Sequence, residues 1–498
     1  MSAAFAKPHK LLRAWPTSGP TSGPIAARDA LPLALWDSAA IAAATGGAAS
    51  QDFQAAGVEM DSRDVKPGDL FVALKGEAMD GHRFLPKAFE NGAVAAITDR
   101  PVDYPHVLVA DTTAALHALA DAARTRSAAV RIGVTGSVGK TGVKEAIFNA
   151  LDRASRGSAH RSVRSYNNHV GVPLSLARMP ARSRFGVFEM GMNHEGEIAP
   201  LADHVRPNVA VITTIAPAHI ENLGSIEAIA DEKAQIFKGL TEGGTAIIPA
   251  DLPETERLIG HAQRLGVNIV TFGRSDKADV RLLDAIPAPH GGSLITADMG
   301  EQRLCYTIAE PGEHWVTNSL AVMAAVRAGG GDLASAGLAL AEMGGLKGRG
   351  ARHQIAVAGG KALLIDESYN ANPASMRATL RVLGQTPAHR RVAILGAMKE
   401  LGDFSDRFHA QLSQPLIDAK IDYAILVGDE MRALAAELGN LPKDSLGNAL
   451  SFAHCAGPDE AIAALFEFSL THGDAVLVKG SNSVGLGTLV SHFTSATG

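Results

Sequence analysis

The residues best suited to chemistry lie in one short string, Thr135-Gly136-Ser137-Val138-Gly139-Lys140-Thr141. Its glycines let the backbone curl tightly, so that successive N–H groups and the start of the next helix can face phosphate oxygens. In such a loop Lys140 reaches the β- and γ-phosphates as a point charge, and the Thr141 hydroxyl is a ligand for Mg²⁺. The surroundings suit this: the apolar run Val130–Thr135 precedes the string, and a helix-compatible stretch from Gly142 to Phe148 follows it. The first glycine of the common GxxxxGK[ST] pattern falls at Val134, so the loop is a shortened relative of that pattern. The plain alternative is a glycine turn with a surface lysine. Glu189 ends the strand-like run Gly186–Glu189, where a doubly wound sheet opens its crevice, and its carboxylate can join Thr141 on Mg²⁺.

Other polar residues are silent when taken alone. His219 would be a cap or a core histidine, and Lys233 a solvated helix lysine. Asn372-Pro373 marks a polar turn. No GxSxG string is present to suggest a serine nucleophile.

The elements that must hold these residues alternate in type. Residues 70–74 and 94–97 read as strands of a first block. Runs at 130–135, 186–189, 209–212 and 246–249 form a second, and runs at 363–366, 392–395, 423–427 and 475–478 a third. Helical stretches separate the strands of the last two blocks, which predicts α/β architecture with mostly parallel sheets. The Gly-rich stretch 344–350 divides the second block from the third.

Length and composition agree. The 498 residues suffice for two to four cores, and 46% hydrophobic with 20% charged residues is ordinary for a globular protein. A formal net charge of −6 leaves no basic footprint for nucleic acid, so an anionic ligand must be met by locally placed cations and N–H groups. Cys305 and Cys455 match no metal or disulfide spacing, no apolar run reaches membrane-span length, and no secretory signal is evident, so a cytoplasmic enzyme is expected. The repeat PTSGPTSGP at 16–24 has no packing signal, and residues 1–30 are expected to be a flexible extension.

Further strings carry a resemblance. TGSVGKT resembles the phosphate loop of the Mur ligases, which folylpolyglutamate synthases share. Tyr166-Asn167-Asn168 with the VGVPL that follows, Glu189 in FEMG, His219, Lys233, and the PGEH string 311–314 with Asn318 follow in the family's order. Upstream, Asp61-Ser62-Arg63, Gly68-Asp-Leu-Phe71 and Asp80-Gly81-His82 resemble the family's uridine-binding domain, which argues against a folylpolyglutamate synthase. The chain is thus identified as a member of the Mur ligases. The resemblance implies a small UDP-substrate-binding α/β domain at 31–126, a central P-loop-type parallel-sheet ATPase domain at 127–347 and a Rossmann-like α/β domain at 348–498.

It also implies roles. ATP and Mg²⁺ would be bound by Gly136, Ser137, Val138, Gly139, Lys140, Thr141, Gly142, Asn318, Arg349, Asp366 and Glu367. Metal would rest on Thr141, Glu189, His219 and a carbamate on Lys233, with Lys140, Glu189, His219, Lys233 and Arg349 as the catalytic group. Arg349 would approach the γ-phosphate when the third domain closes, and His314 would shape the nucleotide loop. The UDP-sugar peptide would meet Ser62, Arg63, Asp80, Gly81, His82, Asn167 and Asn168, and an incoming dipeptide Tyr369, Asn370 and Asn372.

The string at 366–376, DESYNANPASM, resembles the signature of the member that adds D-alanyl-D-alanine to a UDP-N-acetylmuramoyl tripeptide through an acyl phosphate. Two departures stand out. Glu367 replaces the second aspartate of that signature, leaving open which of the pair faces the ribose, and Asn482 stands after KGS where many members have arginine. A sibling ligase adding one amino acid and an inactive nucleotide-binding scaffold are the alternatives. No partner subunit is implied, and a monomer is expected.

Overall fold

Val, Ile and Ala dominate the strand runs, and both faces of each central strand are covered. Along Val209–Ile212, Val209 and Val211 join one apolar cluster while Ala210 and Ile212 join another. This is a computed structural model that describes residues 34–76, 79–288, 291–441 and 450–495; the stretch expected to be an extension at 1–30 lies outside them.

Three main sheets follow one another along the chain. The first has five strands in the order 48–49, 106–108, 95–98, 69–72, 57–59, parallel except for the first pair. The second has nine, with Val130–Thr135 between Phe185–Glu189 and Val209–Ile212 at its parallel heart. The third has six, parallel apart from Ala351–Val357, which runs antiparallel to Gly360–Glu367. The chain is therefore α/β in three units, as the strand rhythm predicts. Periodicity missed the antiparallel end of the central sheet, Val280–Pro287, Ser293–Asp298 and Arg303–Ile308. There the burial alternates and no helix intervenes, so the α/β rhythm stops.

The helix after Val130–Thr135 spans Lys140–Ser155 and begins at Gly139 with no side-chain cap. By contrast, Asp111 caps Thr112–Thr125 by accepting from Thr113 and Ala114 N–H. An uncapped first turn leaves its N–H groups and the positive helix end open to an anion. Gly136 (φ 147°) and Gly139 (φ 86°) take backbone shapes that L side chains resist. A Cβ on Gly136 would also lie 2.0 Å from Thr213 Oγ1.

The first unit is pinned to the central one. Trp36 Nε1 donates to Ala177 O at 2.8 Å, and Arg126 Nη2 donates to Met179 O at 3.4 Å. Arg178 bridges to Glu59 at 3.0 Å, and Glu59 is buried. Replacing Arg178 leaves that carboxylate without its cation. Arg178→Ala is expected to cost roughly 2–3 kcal/mol in urea unfolding, with much of the loss recovered on adding Glu59→Gln. Equal instability of the single and double variants would show that the pair does not hold the units together.

Candidate active site between the central and third units

The central and third units enclose a cavity of about 650 Å³. Its floor is the phosphate loop, with Ser137, Val138, Gly139, Lys140 and Gly142 in the lining. Two hydrogen bonds shape the loop from behind: Thr213 Oγ1 donates to Val138 O at 2.5 Å, and Ser137 Oγ donates to Ala216 O at 2.9 Å. Lys140 Nζ folds back onto Gly136 O at 2.8 Å. Desolvation holds the Lys140 amine below its ordinary value; Glu189 opposes that fall and Arg349 adds to it.

Thr141 and Glu189 meet as expected. The buried Thr141 hydroxyl donates to Glu189 Oε2 at 2.8 Å, and Asn167 Nδ2 donates to Oε1 at 2.8 Å. These are hard oxygen donors beside an uncapped helix end, a set that fits Mg²⁺ with nucleotide phosphates. The other two expected metal ligands do not join them. His219 lines the same cavity, but its buried Nδ1 rests against the Glu400 carboxylate of the third unit, a close contact rather than a well-aligned hydrogen bond. This contact is the main reason the Glu400 carboxyl lies below its usual range. Lys233 is buried with its Nζ 3.0 Å from Met192 Sδ. Among the described residues no three His, Cys, Asp or Glu side chains are grouped to hold a metal ion.

A thioether is a poor partner for an ammonium. Burial, with Lys140 adding repulsion, accordingly drives the Lys233 amine well below its ordinary value, against the pull of Glu232. The surface-lysine alternative is therefore excluded for Lys233, which is among the largest fully buried side chains.

The third unit brings Arg349, Glu367, Tyr369 and Asn370 to the cavity. The Arg349 guanidinium stacks 4.1 Å from the Tyr369 ring centre, and its Nη2 lies 3.3 Å from Ser165 Oγ in the central unit. Of the acidic pair, Glu367 lines the cavity. Asp366 is not in the lining: it is buried and its oxygens are occupied, accepting from Gly348 N–H at 2.8 Å and from Ser368 Oγ at 2.6 Å.

Asn318 lies against the loop, where a Cβ on Gly139 would come within 3.0 Å of its Nδ2. The His314 imidazole is pushed down to about 4 by burial, with Lys479 and Arg381 adding to it, and so is neutral. Asn372 reaches the lining, yet its carboxamide oxygen caps the helix Pro373–Gln385 in a capping box with Ser375. The Asn168 side chain likewise turns inward, accepting from Gly171 N–H at 2.9 Å.

The expected uridine-side residues lie in the first unit, outside this cavity. Arg63 is exposed and folds onto Asp61 at 2.6 Å. His82 is held between Asp80 at 2.7 Å and Asp99 at 3.1 Å, and Arg100 also contacts Asp80. Ser62 is buried, and its carbonyl accepts from Asn91 Nδ2 at 2.8 Å. Gly81 packs on the Leu74 backbone, where a Cβ would lie 2.6 Å from Leu74 O.

Several lining residues escaped the sequence reading: Ser165, Glu310, Trp315, Lys399 and Glu400; Lys479 was read only as the start of the KGS string. Trp315 packs on Gly142, where a Cβ would lie 2.9 Å from the indole. The segment 398–401 follows the strand Arg391–Gly396, and the rule that sites sit beyond carboxyl ends of parallel strands could have found it.

Comparison with known proteins gives one family throughout. The "Mur ligase family, catalytic domain" model matches residues 54–131, the "Mur ligase middle domain" 134–326, and the "Mur ligase, glutamate ligase domain" 351–482. The UDP-N-acetylmuramoyl-tripeptide–D-alanyl-D-alanine ligase of Synechocystis is 36% identical, covering 89% of this chain and 92% of its own. A crystal structure of MurF from Acinetobacter baumannii matches with a TM-score of 0.78 at 31% identity, covering 92% of this chain and 99% of that one. The MurF ligase of Thermotoga maritima, solved in complex with ADP, matches with a TM-score of 0.71 at 27% identity, covering 88% and 97%.

Glu310 and Glu367 flank Gly350, 3.4 Å and 3.6 Å from where its Cβ would stand. Burial pushes the Glu310 carboxyl up to about 7; Glu367 adds to the rise and Arg352 opposes it. A carboxyl raised on folding holds its proton in the native state after the unfolded chain has lost it. Its effect is to lower stability as pH rises from its ordinary value near 4.5 to about 7. Glu310→Gln is expected to flatten that fall in thermal or denaturant unfolding across this window. A variant whose stability falls as steeply as the wild type's would show that Glu310 is not the titrating group.

Proposed function

The chain belongs to the Mur ligase family, and we infer that it is the ATP-dependent ligase joining D-alanyl-D-alanine to a UDP-N-acetylmuramoyl tripeptide in peptidoglycan synthesis. The observation that carries this reading is a single cavity that joins the uncapped phosphate-loop helix to Tyr369 and Asn370 of the SYNANP segment. ATP supplies the driving force, and the dipeptide-adding segment supplies the wall that meets the second substrate.

In this reading the terminal carboxylate of the tripeptide attacks the γ-phosphorus of ATP, and ADP leaves. The dipeptide amine then adds to the acyl carbon, phosphate departs, and the amine nitrogen loses a proton. Both steps press anions together, so catalysis consists of positioning and charge compensation rather than a covalent protein nucleophile. Lys140 and the loop N–H groups receive the phosphates. Arg349 faces them from the third unit, its planar fork of donors fixed by stacking on Tyr369. Thr141 and Glu189 are the residues suited to Mg²⁺, which when bound supplies further compensation of phosphate charge. Asn318 holds the nucleotide side, and Ser62, Arg63, Asp80, Gly81 and His82 belong to the uridine side. The reading includes a cytoplasmic location, since ATP and UDP-linked precursors are found in that compartment, and a monomeric chain.

Lys233 carries a carbamate in this proposal. Its support is chemical: CO₂ adds to a neutral amine, and burial beside Lys140 keeps this amine neutral. A proton leaves the nitrogen as the C–N bond forms, and the product is an anion that the neighbouring Lys140 ammonium attracts.

The direct test is ATP-dependent phosphate release with the UDP-muramoyl tripeptide, with and without D-alanyl-D-alanine. Release that needs both, and a product heavier by the dipeptide, is expected. Release with a single amino acid instead would make the protein a sibling ligase, and no release with any pairing would favour a scaffold. Lys140→Ala should lower turnover by about 10²-fold or more, as loss of a preorganised charge does. With ¹³CO₂, the wild type is expected to give a carbamate ¹³C resonance that Lys233→Ala lacks. Identical spectra from the two proteins would remove the carbamate from the mechanism.

A further inference from the structure

Lys144 lies one turn into the helix Lys140–Ser155 and is fully buried. Helical spacing puts Thr141, Lys144 and Glu145 on one face, as residues i, i+3 and i+4. That face meets the segment 161–168, which follows the strand Ala159–Arg161. An ammonium has three N–H donors and is costly to bury unless they are matched. Three oxygens lie around Lys144 Nζ: Glu145 Oε1 at 2.7 Å, Arg164 O at 2.8 Å and Ser162 O at 3.3 Å. Glu145 is shared with Arg161 at 3.1 Å. Lys144 is not in the cavity lining, so this cation faces the segment rather than the phosphates.

The segment it holds carries two cavity residues. Ser165 Oγ lies 3.5 Å from Thr141 Oγ1 and 3.3 Å from Arg349 Nη2, and Asn167 Nδ2 donates to Glu189 Oε1 at 2.8 Å. Both ends are anchored: Ser162 N–H donates to Val187 O at 2.9 Å, and Gly191 N–H donates to Asn167 O at 2.8 Å. A Cβ on Gly191 would lie 2.8 Å from the Asn167 side chain, so the far end is also closely packed. Between the anchors, Arg164 takes left-handed backbone at φ 50°, a shape uncommon for a residue with a side chain. Its carbonyl meets Lys144 while its guanidinium reaches Asp64 of the first unit at 2.8 Å. The segment thus runs from the first unit to the Thr141–Glu189 pair. A UDP-linked peptide must follow the same path to bring its terminal carboxylate to the phosphates.

We propose that Lys144 is a positioning residue for the acceptor peptide: its ammonium, bound to the carbonyls of Ser162 and Arg164, fixes the segment 162–168 so that Ser165 and Asn167 stand beside the Thr141–Glu189 pair. The proposal rests on the ligase reading above. It adds to that reading a strut between the phosphate-loop helix and the acceptor's path, so that one helix places both the nucleotide phosphates and the carboxylate that attacks them. A small displacement of either reacting group is enough to slow such a step.

The test uses the full chain as wild type, Lys144→Met, Lys144→Gln, Asn167→Ala and the double variant Lys144→Met/Asn167→Ala. Met keeps the apolar stem and removes the donors, while Glu145 retains Arg161 as its partner. In Lys144→Met the KM for the UDP-muramoyl tripeptide is expected to rise about tenfold or more, with the KM for D-alanyl-D-alanine and the affinity for ADP within about twofold of wild type. Lys144→Gln, which keeps an amide donor on a shorter chain, should fall between the two, and it carries the same readings should Lys144→Met not fold. The double variant should be no worse than the more damaged single variant, because both act through one segment. A lysine that merely stabilised the fold would lower the melting temperature and leave the tripeptide KM unchanged. That result, or losses that multiply in the double variant, would overturn the proposal. Amide hydrogen exchange of residues 162–168 with ADP bound needs no turnover, and it should be about tenfold faster in Lys144→Met than in wild type. If the wild type makes no ligation product the ligase reading fails, and exchange still decides the strut: equal rates sink it.

Discussion

Positive charges crowded around one cavity are the constraint on which the rest of this structure depends. Burial holds the amines of Lys140, Lys479 and Lys233 below their ordinary values, with Arg349 adding to the fall of the first two and Lys140 to that of the third. Such a group is costly to assemble without anions. Glu189 and Glu367 offset part of the repulsion, and the anionic substrates of a ligase of this family would offset the rest. Gathering cations from two units into one cavity also explains why the site lies between them.

The tertiary structure maintains this arrangement with many local restraints. Asp366 binds the turn at Gly348 from below, and Asn372 caps the next helix, so the SYNANP segment enters the cavity from a rigid base. Lys144 is buried and its Nζ donates to Arg164 O at 2.8 Å, which sets the segment that carries Ser165 toward Arg349. Arg164 in turn reaches Asp64 of the first unit at 2.8 Å. Through this one segment the phosphate-loop helix contacts both neighbouring units. Charge balance, loop shape and the relative placement of the units are therefore coupled: a change in any one moves the others.

Legibility differed sharply between kinds of residue. The phosphate loop was readable because its function lies in the backbone: glycines at positions needing left-handed or extended shapes, a strand before and a helix after. Glu189 was readable from its place at a strand end. Asp366, Asn168 and Asn372 were placed among binding groups by resemblance, whereas each uses its side chain to satisfy nearby backbone N–H groups. Short polar side chains do this readily, and a motif string does not say which of its members face outward. The antiparallel end of the central sheet was missed for a related reason, since half-buried strands lack the long apolar runs that mark the parallel core.

By itself, the sequence determined the α/β architecture, the nucleotide loop and the family, because these depend on local period, on glycine placement and on strings of adjacent residues. Tertiary structure alone decided which side chains share a cavity. Glu310 with Trp315, Glu400, and Lys479 reach it from three separate stretches of chain. It alone also decided that Lys233 is buried against a thioether and that His219 meets a carboxylate from another unit. Burial and long-range pairing set charge state, which depends on distances in space that spacing along the chain does not encode.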